Sequence, residues 1–187
     1  MLHCIREYGV YAEITGFKNT KFRDAEAFLK AHRKENGGIE LQFFDAGLIA
    51  TSRHLYFAVL NAVQAFHNRT NISKSLAVET MLYASAQRQI QKAIRLCGIK
   101  PQTQNMAVVI IGENPAEIKP ALEGVKACVG AETDEAVLEM TGDKLENIKI
   151  AFQIKAQEIA SVMKGGDVDA AVVSLVVERV ALLATQL

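Results

Sequence analysis

The residues best suited to chemistry are the cations of one stretch, Thr51 to Pro101. The stretch contains seven Lys and Arg residues but a single acid, Glu79. The cations are Arg53, Arg69, Lys74, Arg88, Lys92, Arg95 and Lys100. The whole chain carries 21 basic and 21 acidic residues, and residues 102–187 hold 13 of the acids. Charge is therefore sorted along the chain, with a basic middle and an acidic last part.

Several of these cations have spacings that suit the binding of phosphate groups. Arg88, Lys92 and Arg95 are placed to lie along one side of a helix. Lys74 and Ser75 stand where the preceding helix starts, and the N–H groups of a helix start can receive an anion. Contacts with several phosphates give a protein affinity for nucleic acid. A solvated basic helix face is an equal alternative interpretation, and the near absence of acids is the observation that supports a binding surface.

Other side chains of the same helices are expected to support this surface. Ile90, Ala93 and Ile94 lie opposite the cations and are predicted to face the core, as is Cys97. Tyr83 is predicted to offer a ring on which a base can stack.

Motifs for catalysis are not found. The sequence contains none of the glycine-rich phosphate loops, the nucleophile-elbow motif or the zinc-binding H-E-x-x-H motif. Cys4, Cys97 and Cys128 lack metal-ligand or disulfide spacing, and we expect them to be small buried hydrophobic residues. We predict no catalytic residue, metal or cofactor. A small enzyme that uses the Arg88–Gln89 helix to hold an anionic substrate is an alternative, as is a structural adaptor without nucleic-acid binding.

The elements around these residues predict an α+β fold. Alternating residues predict strands within 3–7, 10–15 and 39–44, and the apolar run 106–111 predicts a central strand covered on both faces. Caps and apolar spacing predict helices that start at Thr20 or Asp24, Thr51 or Ser52, Ser73 or Ser75, Ser85, Pro115, Asp143, Lys155 and Asp167. Residues 132–140 fit a short strand or a short helix. The order predicts one domain over residues 1–187, with a small mixed sheet and several packed helices.

The last helix is apolar on more than one side. Its window 170–184 is shorter than the roughly 20 residues of a membrane span and contains Glu178 and Arg179, so no membrane contact is predicted. One side of this helix is expected to pack on its own domain. The other side suits a partner, and full burial within the chain is the alternative. The N-terminus has no apolar signal-peptide core, so we expect a reducing, cytoplasmic location.

The run from Lys74 to Ile99 resembles the signature of the PRPK-binding-protein family, the small subunit of the KEOPS complex. The matching positions are Lys74-Ser75-Leu76, Glu79, Met81 to Ile90, Ala93-Ile94 and Gly98-Ile99. The ending 177–183 resembles the C-terminal helix of the same family. One departure is that Gly is common in the family just before Arg-Gln-Ile, where this chain has Ala86-Gln87.

The resemblance implies a non-catalytic subunit that binds tRNA and an atypical PRPK-type kinase. KEOPS makes threonylcarbamoyl-adenosine beside the anticodon of tRNAs that read codons beginning with A. In archaeal members this subunit captures the single-stranded CCA end of tRNA. The matched residues Lys74, Ser75, Arg88 and Gln89 are the implied tRNA site, to which charge and spacing add Arg53, Arg69, Lys92 and Arg95. The implied kinase-binding residues of the last helix are Val172, Leu175, Val176, Arg179, Val180 and Leu183.

Overall fold

The computed structural model describes residues 1–20 and 38–185, and within them four strands form one sheet. The strands are β1 (Leu2–Ile5), β2 (Val10–Phe17), β3 (Ile39–Asp45) and β4 (Met106–Gly112). Their order across the sheet is β1-β2-β4-β3. The α+β prediction is confirmed, and the apolar run predicted as a central strand is β4, which pairs with a neighbour along both edges.

The sheet is antiparallel at every described pair, so the prediction of a mixed sheet was wrong. Strand β3 ends at Asp45, opposite Met106 at the start of β4. The intervening chain therefore leaves and re-enters the sheet at the same end. The Ala46 N–H donates to the Asn105 carbonyl at 3.0 Å, and Thr103 Oγ1 donates to Asp45 at 3.1 Å. A helical connection that returns to its starting end must be followed by an antiparallel strand, whatever its length.

Strand β4 is buried on both faces because helices cover the sheet on either side. Its residues alternate between two apolar clusters: Ala107, Val109 and Ile111 join one, and Met106, Val108 and Ile110 join the other. This is the period-two pattern of a strand. The cluster with Met106, Val108 and Ile110 also contains residues of a single helix. The cluster with Ala107, Val109 and Ile111 contains residues of all the other described helices.

Seven α-helices lie in the described residues. The first three, which connect β3 to β4, are α1 (Ser52–His67), α2 (Leu76–Ser85) and α3 (Ile90–Cys97). Those that follow β4 are α4 (Pro115–Val129), α5 (Gly142–Ala151), α6 (Ala156–Val162) and α7 (Val168–Leu182). Helix α4 covers one face of the sheet, where Ile118, Ala121, Val125 and Val129 are buried. The others pack on the opposite face around α1.

Two helices end in the same backbone motif with a non-glycine residue in the left-handed conformation. After α1, Arg69 has φ 57°, and the Thr70 N–H donates to Ala65 O at 2.9 Å. After α2, Ala86 has φ 50°, and the Gln87 N–H donates to Leu82 O at 3.0 Å. These bonds define Schellman motifs, in which glycine is the usual residue at the left-handed position. Ala86 of this chain therefore occupies a backbone position that glycine would favour.

Several local predictions are confirmed and others need correction. Thr51, Ser75 and Asp167 are helix N-caps as predicted. Ser85 caps no helix: it is the last residue of α2, and its buried hydroxyl donates to Met81 O at 2.8 Å. The cap of α3 is Gln89. The segment that fitted a strand or a helix forms a short 3-10 helix over Glu135–Leu138.

Two further predictions concern cysteines and the first helix. Cys97 is buried as predicted, but Cys4 and Cys128 are exposed. The reason is position, since Cys4 lies on the edge strand β1 and Cys128 lies outside the row of α4 residues that faces the sheet. The helix predicted to start at Thr20 or Asp24 lies outside the described residues.

We expect the substitution Ala86→Gly to stabilise the fold. An L-residue in the left-handed region costs about 1–2 kcal/mol, and glycine relieves this strain. Part of the gain in stability is offset because glycine has the greater conformational entropy in the unfolded state. The free energy of unfolding should rise by about 0.5–1 kcal/mol in urea denaturation followed by circular dichroism. The matched control is Ala127→Gly inside α4, which should lower stability by about 1 kcal/mol. A loss of stability in both variants would contradict the strain at Ala86.

Candidate nucleic-acid interface

All seven cations of the central stretch are exposed, whereas its only acid is buried. Glu79 is 1% exposed. Within the described part of the chain, no ion pair includes Arg53, Arg69, Lys74, Lys92, Arg95 or Lys100. The helical connection between β3 and β4 therefore presents positive charge that no acidic side chain of the same stretch offsets at the surface.

The cations lie at two ends of helix α2 rather than in one cluster. Arg69 and Lys74 precede α2, whereas Arg88 and Gln89 follow it. Helix α2 has ten residues and is therefore about 15 Å long. The two parts of the predicted site, Lys74–Ser75 and Arg88–Gln89, are separated by this length, so a ligand that contacts both must be extended.

Glu79 shapes the loop that carries Lys74. Its carboxylate accepts the Ser73 N–H at 2.7 Å and the Ile72 N–H at 3.0 Å, and the Ser73 hydroxyl in turn accepts the Ser75 N–H at 3.2 Å. A buried carboxylate needs several donors to offset its lost hydration. In the sequence, Glu79 is the lone acid among the cations and one of the positions that match the family signature. That isolation was itself a signal, because the acid works inside the structure rather than at the surface.

The N-terminus of α2 is already occupied by a carboxylate of this chain. Glu40 Oε2 accepts the Ala77 N–H at 3.0 Å and the Ser75 hydroxyl at 2.8 Å. Ser75 Oγ also accepts the Val78 N–H at 3.4 Å. Glu40 therefore occupies, in this structure, part of the helix start at which a phosphate was predicted to bind. Glu40 lies 35 residues before Ser75, and no local pattern in the sequence connects them.

Tyr83 does not offer the stacking surface that was predicted. Its side chain belongs to the core on the α1 side of the sheet and is 6% exposed. Burial raises the pKa of the Tyr83 hydroxyl, and nearby Glu79 raises it further. Since almost none of the side chain is accessible, Tyr83 packs in the core and cannot stack a base at the surface.

Helix α3 is oriented differently from the prediction. It begins at Ile90, so Arg88 lies in the preceding turn and not on the helix with Lys92 and Arg95. Ala93 and Cys97 are fully buried as predicted, but Ile90 is 41% and Ile94 52% exposed. Ala93, Cys97 and the partly buried Leu96 pack against the layer below, whereas the two isoleucines are exposed.

His54 fixes the end of α2 from which Arg88 departs. The Ala50 N–H donates to His54 Nδ1 at 3.2 Å, which leaves Nε2 to carry the ring proton and donate to Ala84 O at 2.7 Å. Burial lowers the pKa of His54 to about 4, so the ring is neutral at physiological pH. The contact ties the start of α1 to the end of α2, and it places Arg53 at the same end of the helix pair as Arg88.

Two features of the described residues bear on the enzyme alternative: their metal-ligating side chains and a cleft beside the α2–α3 turn. They contain no group of three or more His, Cys, Asp or Glu placed to hold a metal ion. A cleft of about 200 Å³ adjoins the α2–α3 turn, lined by Ser85, Ala86, Gln87, Ala151, Phe152, Gln153, Arg179 and Leu182. Its one cation, Arg179, is paired with Glu158 at 2.8 Å. The cleft pairs no base with a nucleophile.

Comparison with known proteins assigns the family. The model of the family described as kinase binding protein CGI-121 matches residues 17–184. The chain belongs to the CGI-121 family. It is 32% identical over 120 residues to the regulatory protein Cgi121 of Methanocaldococcus jannaschii, which is 64% of this chain and 74% of that protein. It is 28% identical over 111 residues to the EKC/KEOPS complex subunit CGI121 of Coccidioides immitis, which is 57% of this chain and 54% of that protein.

The CGI-121 match confirms the resemblance drawn from the Lys74 to Ile99 run and from the C-terminal helix. Both segments fall inside the matched range. Within this run, the structure distinguishes residues that are exposed at the surface from residues that are buried or hydrogen-bonded within the chain. Lys74, Arg88 and Gln89 are exposed, whereas Ser75 is engaged by Glu40 and Tyr83 is buried.

The C-terminal helix of this CGI-121 member buries most of the residues predicted to meet a partner. Val172, Leu175, Val176, Val180 and Leu183 are each at most 4% exposed and pack in the core on the α1 side of the sheet. Arg179 is partly exposed. The apolar side chains of α7 thus follow the alternative of burial within the chain. Of the helices in the described residues, none combines the length and apolar character that a bilayer span requires.

We expect Glu79→Gln to destabilise the protein. The amide keeps the shape but replaces one carboxylate oxygen with a donor that faces backbone N–H groups, which leaves buried donors unsatisfied. The free energy of unfolding should fall by about 1–3 kcal/mol in urea denaturation. Glu146→Gln is the control, since Glu146 is exposed and forms only a surface pair with Lys149; it should change stability by less than about 0.5 kcal/mol. Equal stability of the two variants would contradict the claim that Glu79 stabilises the loop before Lys74.

Proposed function

We propose that this chain is a non-catalytic KEOPS subunit that binds tRNA and a PRPK-type kinase in the cytoplasm. In this role it supports threonylcarbamoyl-adenosine modification of tRNA. The observation that carries the tRNA part is the exposure of all seven cations of Thr51–Pro101 while the only acid of the stretch is buried. The family name, kinase binding protein, and the relatives named as a regulatory protein and as an EKC/KEOPS complex subunit support the rest.

The proposed tRNA contacts follow the exposed cations. Arg88 and Gln89 lie at the turn between α2 and α3, and Lys92 and Arg95 continue along α3. Lys74 and Arg69 lie beyond the other end of α2, and Arg53, at the start of α1, completes the set. Ser75 and Tyr83 leave the contact set for the structural reasons given above. An extended surface of this kind suits a flexible single strand, so the unpaired 3′ CCA end is the proposed ligand.

Neutralising two of these cations tests the tRNA site. In the double variant Lys92→Gln and Arg95→Gln, tRNA affinity should fall, and the slope of log affinity against log salt should decrease by about 0.7–0.9 per cation lost. Fluorescence anisotropy over about 50–200 mM salt measures both quantities. Both side chains are exposed, so folding should be unaffected.

The control for that measurement is Lys155→Gln with Lys164→Gln, which removes the same charge from the acidic part of the chain at exposed positions. This pair should leave tRNA affinity nearly unchanged. Removal of the CCA end from the tRNA should weaken binding by the wild type. Equal, salt-independent binding of tRNA with and without its CCA end would exclude the proposed site.

The proposed kinase surface uses the exposed residues of α7 and not its buried side. Leu182 is 46% exposed at the end of α7 and lines the cleft beside Gln87 and Arg179. Ser174, Glu178 and Ala181 are also exposed on this helix. The centres of protein interfaces combine apolar side chains with Arg. Leu182 and the neighbouring Arg179 provide this combination at the end of α7.

The substitution Leu182→Asp tests this surface. A charge placed within an apolar contact loses its hydration, so kinase affinity should fall by about tenfold or more while tRNA affinity stays unchanged. Calorimetric titration with the cognate PRPK-type kinase measures the change. Leu2→Asp is the matched control, because Leu2 is 47% exposed on the edge strand β1. Equal affinity of both variants for the kinase would move the contact away from the end of α7.

A further inference from the structure

A cavity of about 340 Å³ lies where the sheet meets the start of α5. It is lined by residues that follow β2 and β3, by one that precedes β4, and by residues of the segment 134–147. None of them belongs to the proposed tRNA or kinase surface. One of them, Lys144, is the only buried Lys or Arg among the described residues. A buried amine that lines a cavity needs a reason beyond packing, because burial of a charge is costly.

The amine of Lys144 is held by neutral groups. It donates to Val137 O at 3.0 Å and to Glu139 O at 3.1 Å, and the residue is 6% exposed. Within the described residues, no ion pair includes Lys144. Burial lowers the pKa of Lys144 to about 8, although the charge of Glu139 acts in the opposite direction. At about pH 7.4, roughly one-fifth of such an amine is unprotonated, against about one in a thousand for an ordinary lysine.

The charge of the cavity restricts what can react there. Besides Lys144, its lining contains one cation, Lys18, and three acids, Asp134, Glu139 and Asp143. When Lys144 is unprotonated, acids therefore outnumber cations, and an anionic molecule is repelled. The volume lies at the lower end of the range for ligand pockets, which suits a small molecule. An uncharged aldehyde or ketone meets both conditions, and its reaction with an amine releases only water.

We propose that Lys144 is a site of reversible covalent modification, at which its Nζ forms an imine with a small uncharged aldehyde or ketone. The nitrogen lone pair attacks the carbonyl carbon, and a proton passes from nitrogen to oxygen to give a carbinolamine. That hydroxyl then leaves with the second nitrogen-bound proton as water, and a C=N bond remains. No oxidant or reductant is consumed. Desolvated lysines are typical nucleophiles for this chemistry in proteins.

Reductive trapping of the wild type tests the site. Propanal is added with cyanoborohydride, which converts each imine into a stable secondary amine, and peptide mapping by mass spectrometry gives the labelling rate at each lysine. Lys164, which is exposed, is the internal reference. At about pH 7.4, labelling should be about tenfold or more faster at Lys144 than at Lys164, because more of the Lys144 amine is unprotonated. The Lys144 rate should reach half its maximum near pH 8.

Three comparisons separate the cavity from general lysine reactivity. Unfolding in urea should abolish the preference for Lys144 over Lys164. Glyoxylate, an anionic aldehyde, should show a lower ratio of Lys144 to Lys164 labelling than propanal, because the acids of the cavity repel it. The exposed Glu139 is replaced in Glu139→Gln, which removes a charge that raises the pKa of Lys144. The midpoint of the pH profile should therefore fall, and glyoxylate should be excluded less strongly.

The variant Lys144→Arg keeps a cation with N–H donors but has no nucleophilic amine, so the fast phase of labelling should disappear. If this variant does not fold, site mapping on the wild type decides the question. Equal labelling of Lys144 and Lys164 in the folded protein, no label at Lys144, or a preference for Lys144 that persists in urea would each contradict the proposal. These measurements involve neither tRNA nor kinase, so their failure leaves the proposed function untouched.

Discussion

The double burial of strand β4 is the constraint on which the rest of the structure depends. The strand is hydrogen-bonded along both edges and covered on both faces, and all seven of its residues are buried. Its two rows of side chains therefore need two separate helical layers. Helix α4 provides one layer alone, and the helical connection between β3 and β4 begins the other. This connection leaves and returns at one end of the sheet, and its three helices pack together on one face. Their side away from the sheet is exposed to solvent and carries the cations.

That outer surface is basic because the acids near it are turned inward. Buried Glu79 accepts backbone N–H groups of the loop before Lys74, and the partly buried Glu40 accepts the Ala77 N–H at the start of α2. A buried carboxylate with several donors is costly to disturb. The arrangement explains how a chain with equal numbers of Lys plus Arg and Asp plus Glu can expose seven cations in Thr51–Pro101 without an exposed acid of the same stretch. It also explains why the start of α2, which looked like an anion site, is filled.

The sequence sufficed for features governed by local patterns. The apolar run of β4, the nearly all-apolar α1 and the caps Thr51, Ser75 and Asp167 are set by residues within a few positions of one another. Strand direction, the Glu40 contact and the exposure of Ile90 and Ile94 depend on how distant segments meet, and periodicity does not encode this. Ser85 illustrates the limit: a serine before a helical pattern resembles a cap, but here its hydroxyl bonds back into the preceding turn.

The same distinction separates the parts of the candidate site. Exposed charge followed from composition, since seven cations with one acid cannot all be neutralised locally. The apolar residues of α7 were harder to place, because an all-apolar helix fits burial in its own chain as well as burial against a partner. The structure shows that most of them are buried within the chain, leaving Leu182 and Arg179 at a cleft that they share with Ala86 and Gln87. The end of α7 and the turn that leads to Arg88 thus form walls of one cleft. A partner bound at the end of α7 would therefore lie beside the α2–α3 turn. The proposed kinase surface and the proposed tRNA surface adjoin at this turn.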